Sequence, residues 1–370
     1  MTRYEPTTDS RPVLIMAGGT GGHVFPALAV AQEILARNIP VVWLGTHQGI
    51  ESRIVPAAGI PVEWVSVSGL RGKRFTRLIK APFMLAMAGW QCFRILARIK
   101  PRAVLGMGGF VTGPGGVMAR IMGTPLCIHE QNAIAGMTNR YLSRITRHVM
   151  QAFPNSFPAG TQAVTMGNPV RSDIGRLPVP EKRMQAHQGR TRILVVGGSL
   201  GAQALNETVP QALSLLPETL RPLVRHQTGE RNIEQARECY QQAGLHDGVE
   251  ILAFINDMAD AYEWADLVIC RAGALTVSEL MVAGVAALLV PYPFAVDDHQ
   301  SMNARVLVDA GAALMFQQSE LDAKRLHEIL AELISDKTKL LKMAESARDL
   351  AKPQATKDVA DYCLQLGAQS

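Results

Sequence analysis

The chain lacks the features that mark several large classes of protein. Aromatic residues make up only 5% of its 370 residues, which argues against the stacking platforms that bind single-stranded nucleic acid. Its five cysteines are scattered and form no CxxC pair, so we expect free thiols in a reducing compartment. No apolar run approaches the roughly 20 residues that a membrane-spanning helix needs. Residues 1–11 lack the apolar core of a signal peptide.

Common catalytic signatures are missing as well, because there is no Walker A loop, no G-x-S-x-G and no H-E-x-x-H. The composition is that of an ordinary globular protein, 48% hydrophobic and 19% charged, and the length accommodates two domains with full cores. The net charge of +5 is compatible with an anionic substrate or an anionic membrane surface.

The two halves of the chain open in the same way. An apolar run over 13–17 is followed by GGTGGH at 18–23, and a second run over 193–196 is followed by GGSLG at 197–201. A helical pattern follows each glycine turn. A strand that ends in such a turn and feeds a helix presents unpaired backbone N–H groups, which attract phosphate. The repeat predicts an α/β protein with two Rossmann-like domains whose parallel sheets face each other across a cleft.

Short β-branched runs alternate with helical patterns along both halves, as in the βαβ units of parallel sheets. A stretch rich in Pro, Gln and basic residues over 177–192 is typical of an interdomain linker, alone or joined to a short helix. The tail from Leu321 to Leu366 is predicted to be helical. The predicted strands are 13–17, 41–45, 61–65, 103–109, 125–129, 193–196, 224–227, 249–253, 267–270 and 287–291.

The first glycine turn does not match the dinucleotide-binding fingerprint, which needs a third glycine and an acidic residue after the second strand. Val24 occupies the third position, and Thr46 and His47 follow the second strand, so an NAD-dependent oxidoreductase is disfavoured. His23 lies where the turn becomes a helix, and a neutral imidazole there is a candidate general base. Alternatively, the glycines only form a tight connection and His23 is a capping or packing residue.

A further strand–helix junction is RAGALTVSE at 271–279. Its backbone N–H groups over 274–276 could hold a diphosphate, and the carboxylate of Glu279 could accept hydrogen bonds from both hydroxyls of a ribose. Alternatively, Glu279 is a surface or capping-box residue, since Thr276-x-x-Glu279 fits that motif. The sequence DDHQ at 297–300 is predicted to make polar contacts with a ligand rather than to bind a metal.

The segment from Leu70 to Lys100 combines an apolar stretch with flanking basic residues. This pattern is typical of an amphipathic surface that lies on anionic lipid without spanning the bilayer. The alternative is an ordinary βαβ helix with a buried apolar face and a solvated basic face. The apolar residues are Pro82, Phe83, Met84, Leu85, Met87 and Trp90, and the basic residues are Arg71, Lys73, Arg74, Arg77, Lys80, Arg94, Arg98 and Lys100.

Seven motifs, in order, resemble the MurG family, the bacterial UDP-N-acetylglucosamine transferases that make the second lipid-linked peptidoglycan precursor. The resemblance extends from Val13 to about Leu366. The motifs are AGGTGGHVFPALA (17–29), GMGGFVTGPGG (106–116), HEQNAIAGMTNR (129–140), GNPVR (167–171), GGSLGAQALN (197–206), RAGALTVSE (271–279) and DHQSMNA (298–304).

The resemblance implies the GT-B fold, with an acceptor-binding and membrane-associating domain over 1–170 and a UDP-GlcNAc-binding domain over 171–349. The terminal helix, 350–370, would return to the first domain. The implied reaction is inverting transfer of GlcNAc to the C4 hydroxyl of MurNAc in undecaprenyl-diphosphate-linked muramyl-pentapeptide, at the cytoplasmic face of the inner membrane. Cell-wall and division machinery are candidate partners, and no cofactor, metal or nucleic acid is implied.

The resemblance also implies roles for single residues. His23 is the candidate base, with Glu130 as the alternative. Ile255 would contact uracil through its backbone, Glu279 would hold the ribose, Ser199 would contact the diphosphate and Gln300 the GlcNAc hydroxyls. The full set of implied donor contacts is Thr20, Gly21, Gly22, Asn132, Arg171, Ser199, Ile255, Ala274, Leu275, Thr276, Val277, Ser278, Glu279 and Gln300.

Phe110 departs from the family pattern, because some relatives have tyrosine there and a hydroxyl contact to the acceptor would be lost. Two rival functions remain at this point. One is another GT-B transferase, such as a glycolipid-forming enzyme. The other is a UDP-GlcNAc 2-epimerase, which shares the fold and the nucleotide and releases sugar without an acceptor.

Overall fold

The computed structural model describes residues 11–66, 75–198 and 201–368, and the chain divides into two compact units. The first unit takes in the chain up to Pro169 together with the chain from Gln354 onward, and the second spans Val170–Pro353. Each unit has its own parallel sheet. The two parallel sheets predicted from the alternating pattern are therefore confirmed.

The part of the first unit that precedes Pro169 contains seven strands and five α-helices among the described residues. The strands are Val13–Met16 (β1), Val41–Gly45 (β2), Val62–Trp64 (β3), Ala103–Gly106 (β4), Leu126–Glu130 (β5), His148–Gln151 (β6) and Ala163–Thr165 (β7). The helices are Gly21–Leu35 (α1), Glu51–Ala57 (α2), Phe75–Ile99 (α3), Thr112–Ile121 (α4) and Met137–Leu142 (α5). The strand order is β3-β2-β1-β4-β5-β6-β7, so the order reverses between β1 and β4.

The second unit repeats this plan with six strands. They are Arg192–Val196 (β8), Leu223–Gln227 (β9), Val249–Leu252 (β10), Leu267–Cys270 (β11), Ala286–Leu289 (β12) and Ala313–Met315 (β13). The helices are Pro180–Ala186 (α6), Gln203–Ser214 (α7), Ile233–Gln242 (α8), Met258–Trp264 (α9), Ala274–Ala283 (α10), His299–Val308 (α11), Ala323–Ser335 (α12) and Lys337–Asp349 (α13). The order β10-β9-β8-β11-β12-β13 reverses between β8 and β11.

The central strands β1 and β4 of the first unit are buried on both faces, which is why they read as continuous apolar runs. Val13 and Ile15 of β1 face a core layer that includes Val30 of α1, whereas Leu14 and Met16 face a second layer with residues of α3 and α4. In such doubly wound sheets, ligands bind beyond the carboxyl ends of the strands, at the point where the strand order reverses.

The last helix, Ala355–Ala368 (α14), belongs to the first unit although it is the last in sequence. Val359 and Cys363 are fully buried in the same core layer as β1 and α1. Gly367 lies so close to the sheet that a Cβ atom there would be 3.1 Å from the Arg102 carbonyl oxygen. The tail predicted to be helical, from Leu321 to Leu366, forms three separate helices. Asp322 caps α12, Asp336 caps α13, and α14 follows Pro353.

Three short strands were not predicted, namely β6, β7 and β13. Each has three or four residues, and β6 begins with His148 and ends with Gln151, so no continuous apolar run marks it. The stretch over 177–192 is part of the second unit rather than a linker between units, because it contains α6 and its Arg183 is buried. Within the described residues, no helix combines the length and apolarity needed to cross a membrane.

Candidate active site

Two glycine loops meet where the strand order reverses in the first unit. The loop after β4 contains Gly108 and Gly109, whose φ angles of +103° and +88° favour glycine. A Cβ atom on Gly109 would lie 2.4 Å from the Gly18 carbonyl oxygen, and one on Gly108 would lie 2.6 Å from Nδ1 of His23. The loops after β1 and β4 are therefore in direct contact, and the loop after β4 needs glycine at both positions to approach so closely.

A buried carboxylate fixes the first glycine loop. Glu51, fully buried at the start of α2, accepts a hydrogen bond from the Gly19 N–H at 3.0 Å through Oε2. Its Oε1 accepts from the N–H and the hydroxyl of Thr46, at 3.1 and 2.8 Å. This role of Glu51 is not predictable from the sequence, because an acidic residue in the first turn of a helix is usually exposed and interacts with the helix dipole.

Glu51→Gln is expected to lower the free energy of unfolding by about 2 kcal/mol, because the amide nitrogen would face one of three donors and leave it unpaired in a buried position. Urea unfolding of the variant measures this. Glu345→Gln, which changes an exposed glutamate on α13, is the matched control and should leave the midpoint unchanged. A Glu51→Gln midpoint equal to that of the unmodified chain would contradict the role.

His23 is the third residue of α1, and its half-buried ring contacts the Gly108 backbone. Its Nδ1 lies 2.8 Å from Oε1 of Gln131. The residue in the N-cap position is Thr20, with extended backbone angles, so His23 does not cap the helix. Thr20 is exposed, and Gly21 and Gly22 in the first turn of α1 are partly exposed.

Glu130, the alternative base, is 1% exposed and ends β5. Its Oε1 accepts from the backbone and side-chain N–H groups of Asn132, at 2.9 and 3.1 Å. Its Oε2 accepts from the Gly136 N–H at 3.0 Å and the Asn139 amide at 2.9 Å. The carboxylate thus accepts from three donors of the following loop and one of α5, and this arrangement orders the loop that carries Asn132.

In the second unit, the junction between β11 and α10 presents backbone N–H groups. Gly273 is the N-cap residue, no side chain caps the helix, and no acidic residue lies in its first turn. The N–H groups of Ala274, Leu275 and Thr276 belong to that first turn, whose donors have no partner within the helix. Together with the helix dipole, they form a site that suits an anion. Val277 is the first residue whose N–H bonds back, to the Gly273 carbonyl oxygen at 2.9 Å.

The opposite end of α10 is held by Arg183 of α6. This guanidinium donates to the carbonyl oxygens of Ala283, at 2.8 Å, and of Gly284. Burial lowers the pKa of Arg183 to about 10, but the group stays charged at neutral pH. It therefore satisfies the last carbonyl groups of α10 and complements the negative end of the helix dipole.

Glu279 lies one turn into α10 and is 4% exposed. Its Oε2 accepts from the Tyr262 hydroxyl at 3.0 Å, and its Oε1 accepts from Nη2 of Arg171 at 3.3 Å. Burial raises the pKa of the Glu279 carboxyl, and Arg171 acts in the opposite direction. The alternative of a surface or capping-box residue is wrong, because Thr276 is inside the helix. Ser278, also buried, donates to the Ala274 carbonyl oxygen at 2.8 Å.

The remaining predicted donor contacts are divided between the two units. Ile255 is half-buried in the loop after β10. Gln300, in the first turn of α11, accepts through Oε1 from the Tyr292 N–H at 2.9 Å. Ser199 lies outside the described residues. Thr20, Gly21, Gly22 and Asn132 belong to the first unit, and no three metal-ligating side chains cluster in the described ranges.

Comparisons with known proteins identify the family. The model of the glycosyltransferase family 28 N-terminal domain matches residues 13–151, and that of the family 28 C-terminal domain matches residues 192–361. A protein from Alkalilimnicola ehrlichii is 56% identical over 96% of this chain and 98% of its own length. It is named UDP-N-acetylglucosamine--N-acetylmuramyl-(pentapeptide) pyrophosphoryl-undecaprenol N-acetylglucosamine transferase. A protein from Marinobacter nauticus has the same name and is 54% identical over 97% of this chain and 99% of its own length.

The chain belongs to the MurG family, within glycosyltransferase family 28. The crystal structure of Acinetobacter baumannii MurG covers 96% of this MurG-family chain and 99% of its own, with 43% identity and a TM-score of 0.84. The predicted GT-B fold is thereby confirmed, and the chain is a glycosyltransferase. A UDP-GlcNAc 2-epimerase from Neisseria meningitidis shares the fold alone, with 14% identity over 96% of this chain and a TM-score of 0.65.

Proposed function

We propose that this chain transfers N-acetylglucosamine from UDP-GlcNAc to the C4 hydroxyl of MurNAc in undecaprenyl-diphosphate-linked muramyl-pentapeptide, with inversion at the anomeric carbon. The observation that carries the proposal is the 56% identity, over nearly the whole of both chains, to a transferase named for this donor and this acceptor. The low identity of the 2-epimerase structures, 13–14%, argues against the rival isomerase function.

The second unit supplies the donor site in this proposal. The diphosphate binds at the N-terminus of α10, where the free N–H groups of 274–276 stabilise the negative charge that builds up as UDP leaves. Glu279 accepts hydrogen bonds from the ribose hydroxyls, and Ile255 contacts the uracil. Gln300 and Ser199 complete the contacts to the sugar and the diphosphate. Because fixed dipoles stabilise the leaving group, no step needs a metal.

The first unit supplies the base. A single base suffices for direct inversion, since it only has to remove the proton of the attacking hydroxyl. His23 has this role. Its ring is half-buried, and one ring nitrogen is engaged by Gln131, which leaves the other for the acceptor. The saturated hydrogen bonding of Glu130 favours His23 over the alternative base.

Glu279→Ala is expected to raise the Kd for UDP-GlcNAc at least tenfold, because two ribose hydroxyls would lose their charged acceptor. Isothermal titration calorimetry on the variant measures this. Ser335→Ala, at an exposed hydroxyl near the end of α12, is the control that should bind as before. Unchanged affinity of a folded Glu279→Ala protein would contradict the ribose contact.

The membrane-facing surface in this proposal is the outer face of α3. The inner face, with Ala88 and Cys92, is buried against the core. The outer face exposes Phe83 by 71% and Trp90 by 58%, and the Arg94 guanidinium lies 4.8 Å from the Trp90 ring centre. An exposed apolar face with adjacent cations suits an anionic bilayer surface. The outer face of α3 is more apolar than the solvated basic face expected of an ordinary βαβ helix. Arg71, Lys73 and Arg74 lie outside the described residues.

Replacing Phe83 and Trp90 together by serine is expected to lower binding to phosphatidylglycerol vesicles about tenfold or more, because the variant loses two exposed apolar side chains that enter the interface. Vesicle co-sedimentation measures this. Val179→Ser with Leu215→Ser removes two similarly exposed apolar side chains from the second unit and should leave vesicle binding unchanged. Equal binding by both double variants would contradict the assignment of this surface.

The decisive experiment is transfer of labelled GlcNAc from UDP-GlcNAc to a short-chain muramyl-pentapeptide diphosphate lipid. The expected product is the β-1,4-linked disaccharide lipid together with UDP. Transfer to diacylglycerol instead would identify a glycolipid-forming enzyme. Release of free sugar from UDP-GlcNAc with no acceptor present would identify an epimerase. Both of these outcomes would overturn the proposal.

A further inference from the structure

A row of hydrogen-bonded side chains lies behind His23 in the first unit. Nδ1 of His23 is 2.8 Å from Oε1 of Gln131. Nε2 of Gln131 is 3.1 Å from Nδ1 of His129 and also 3.1 Å from the carbonyl oxygen of His129. Nε2 of His129 is 2.9 Å from the carbonyl oxygen of Gly167. Gln131 and His129 are fully buried.

The proton positions along this row follow from the contact between His129 and the Gly167 carbonyl group, at the end farthest from His23. The Gly167 carbonyl oxygen can only accept, so the proton of neutral His129 is on Nε2 and its Nδ1 is an acceptor. Burial lowers the pKa of His129 to about 4, so the ring is neutral at physiological pH.

The orientation of the Gln131 amide is fixed twice over. Two acceptors, Nδ1 of His129 and the carbonyl oxygen of His129, face the same end of the amide. That end must be the NH₂ group, because the amide oxygen there would face two lone pairs. The amide oxygen therefore faces His23. Since this oxygen only accepts, Nδ1 of His23 must carry a proton.

We propose that Gln131 and His129 are positioning residues that hold neutral His23 in its Nδ1–H tautomer and so place the free lone pair on Nε2. The tautomer follows from the hydrogen bonds alone, and only the role of Nε2 as the catalytic base rests on the function proposed above. Neutral histidine in water prefers the Nε2–H form, which has no lone pair at Nε2 to accept a proton. A base held in the wrong tautomer is inactive even when its geometry is intact.

The ring plane is fixed as well as the tautomer. Nδ1, Cε1 and Cγ of His23 all lie within 3.1 Å of the position that a Cβ atom on Gly108 would occupy. The ring therefore covers this glycine, and Nε2 is on the side of the ring away from Gln131. Nε2 has no hydrogen-bond partner in the part of the chain that the structure describes.

The direct test is the tautomer itself. In protein labelled with ¹⁵N in the histidine rings, two-bond ¹⁵N–¹H correlations distinguish Nδ1–H from Nε2–H, and His23→Gln identifies the His23 signals by their loss. On the alkaline side of the histidine titration, we expect His23 as Nδ1–H and His129 as Nε2–H. A wild-type spectrum with His23 as Nε2–H would overturn the proposal.

Two substitutions at Gln131 separate positioning from packing. Gln131→Met has a similar volume but no acceptor, so His23 is expected to revert to mainly Nε2–H and kcat to fall about 100-fold, with an unchanged Kd for UDP-GlcNAc. Gln131→Glu, with its carboxyl protonated, keeps a donor towards His129 and an oxygen towards Nδ1 of His23, so it is expected to retain the Nδ1–H form and a higher kcat than Gln131→Met. If Gln131→Met keeps both the Nδ1–H tautomer and the turnover, the proposal fails.

The two proposals fail in distinguishable ways. If His23 is not the base, His23→Ala keeps its turnover, but the wild-type spectrum still reports whether Gln131 sets the tautomer. If Gln131 has only a structural role, Gln131→Met loses stability and turnover while His23 remains Nδ1–H, and this result overturns the inference without affecting the transfer reaction. Should Gln131→Met not fold, the wild-type spectrum and Gln131→Glu remain decisive.

Discussion

His23→Ala is expected to lower kcat for GlcNAc transfer by about 100- to 10,000-fold, the range that removal of a positioned general base typically produces. The Kd for UDP-GlcNAc should change much less than kcat, because the proposed contacts to the uracil and the ribose are made by Ile255 and Glu279 of the second unit. The expected fall in kcat is at least as large as that of Gln131→Met, which leaves the base in place but in the wrong tautomer.

Initial rates at saturating donor and acceptor, with calorimetric donor binding, measure the two quantities separately. His246→Ala, at an exposed histidine of the second unit, is the control and should behave as the unmodified protein. Turnover that survives in His23→Ala would place the base elsewhere. An equal loss in kcat and in donor affinity would show that His23 organises the glycine loop rather than accepting the proton.

In the proposed reaction, backbone N–H groups rather than side chains stabilise the negative charge that develops on the leaving diphosphate. Gly273 has no side chain to cap α10, and the first turn has no acid, so its N–H groups are available for an anion. Arg183 and left-handed Gly284 terminate the other end of the helix. A helix whose carbonyl end is satisfied by buried protein groups presents its positive end as a fixed dipole, which needs no reorganisation during the reaction.

The parts of this fold that the sequence predicts are those encoded by local pattern. The strands β1, β4, β8 and β11 are buried on both faces, so their apolar runs are continuous, and the glycine turns that follow them are visible as motifs. The glycine turns that lie at the two points of strand-order reversal are therefore visible in the sequence, although the strand order itself is not. Its spacing after the turn also marks Glu279 as a candidate residue, but the sequence does not predict its burial against Tyr262.

The parts that the sequence does not predict depend on contacts between distant residues. Glu51 bonds to the N–H of a residue 32 positions earlier, and Gln131 contacts a histidine 108 positions earlier. Neither residue type nor spacing distinguishes these buried polar side chains from exposed ones. The short strands β6 and β13 are missed for a related reason, since their pairing with neighbours, rather than their own composition, makes them strands.

Acid is expected to destabilise the second unit through one buried histidine. His226 in β9 is fully buried, and its Nδ1 lies 2.9 Å from the Tyr240 hydroxyl. Burial lowers the pKa of His226 to about 3, whereas an unfolded histidine has a pKa of about 6.5. Between these values the unfolded chain binds the extra proton, so stability falls as the pH falls from about 6.5 towards 3.

At pH 4.5 this difference corresponds to about 3 kcal/mol of lost unfolding free energy. His226→Asn places an amide where Nδ1 meets Tyr240 and cannot titrate, so its urea midpoint should depend less on pH than that of the unmodified protein. His246→Asn, at an exposed site, should keep the full dependence. If both variants lose stability equally between pH 7 and pH 4.5, protonation of His226 does not limit the acid stability of this unit, and its other titratable groups must account for the loss.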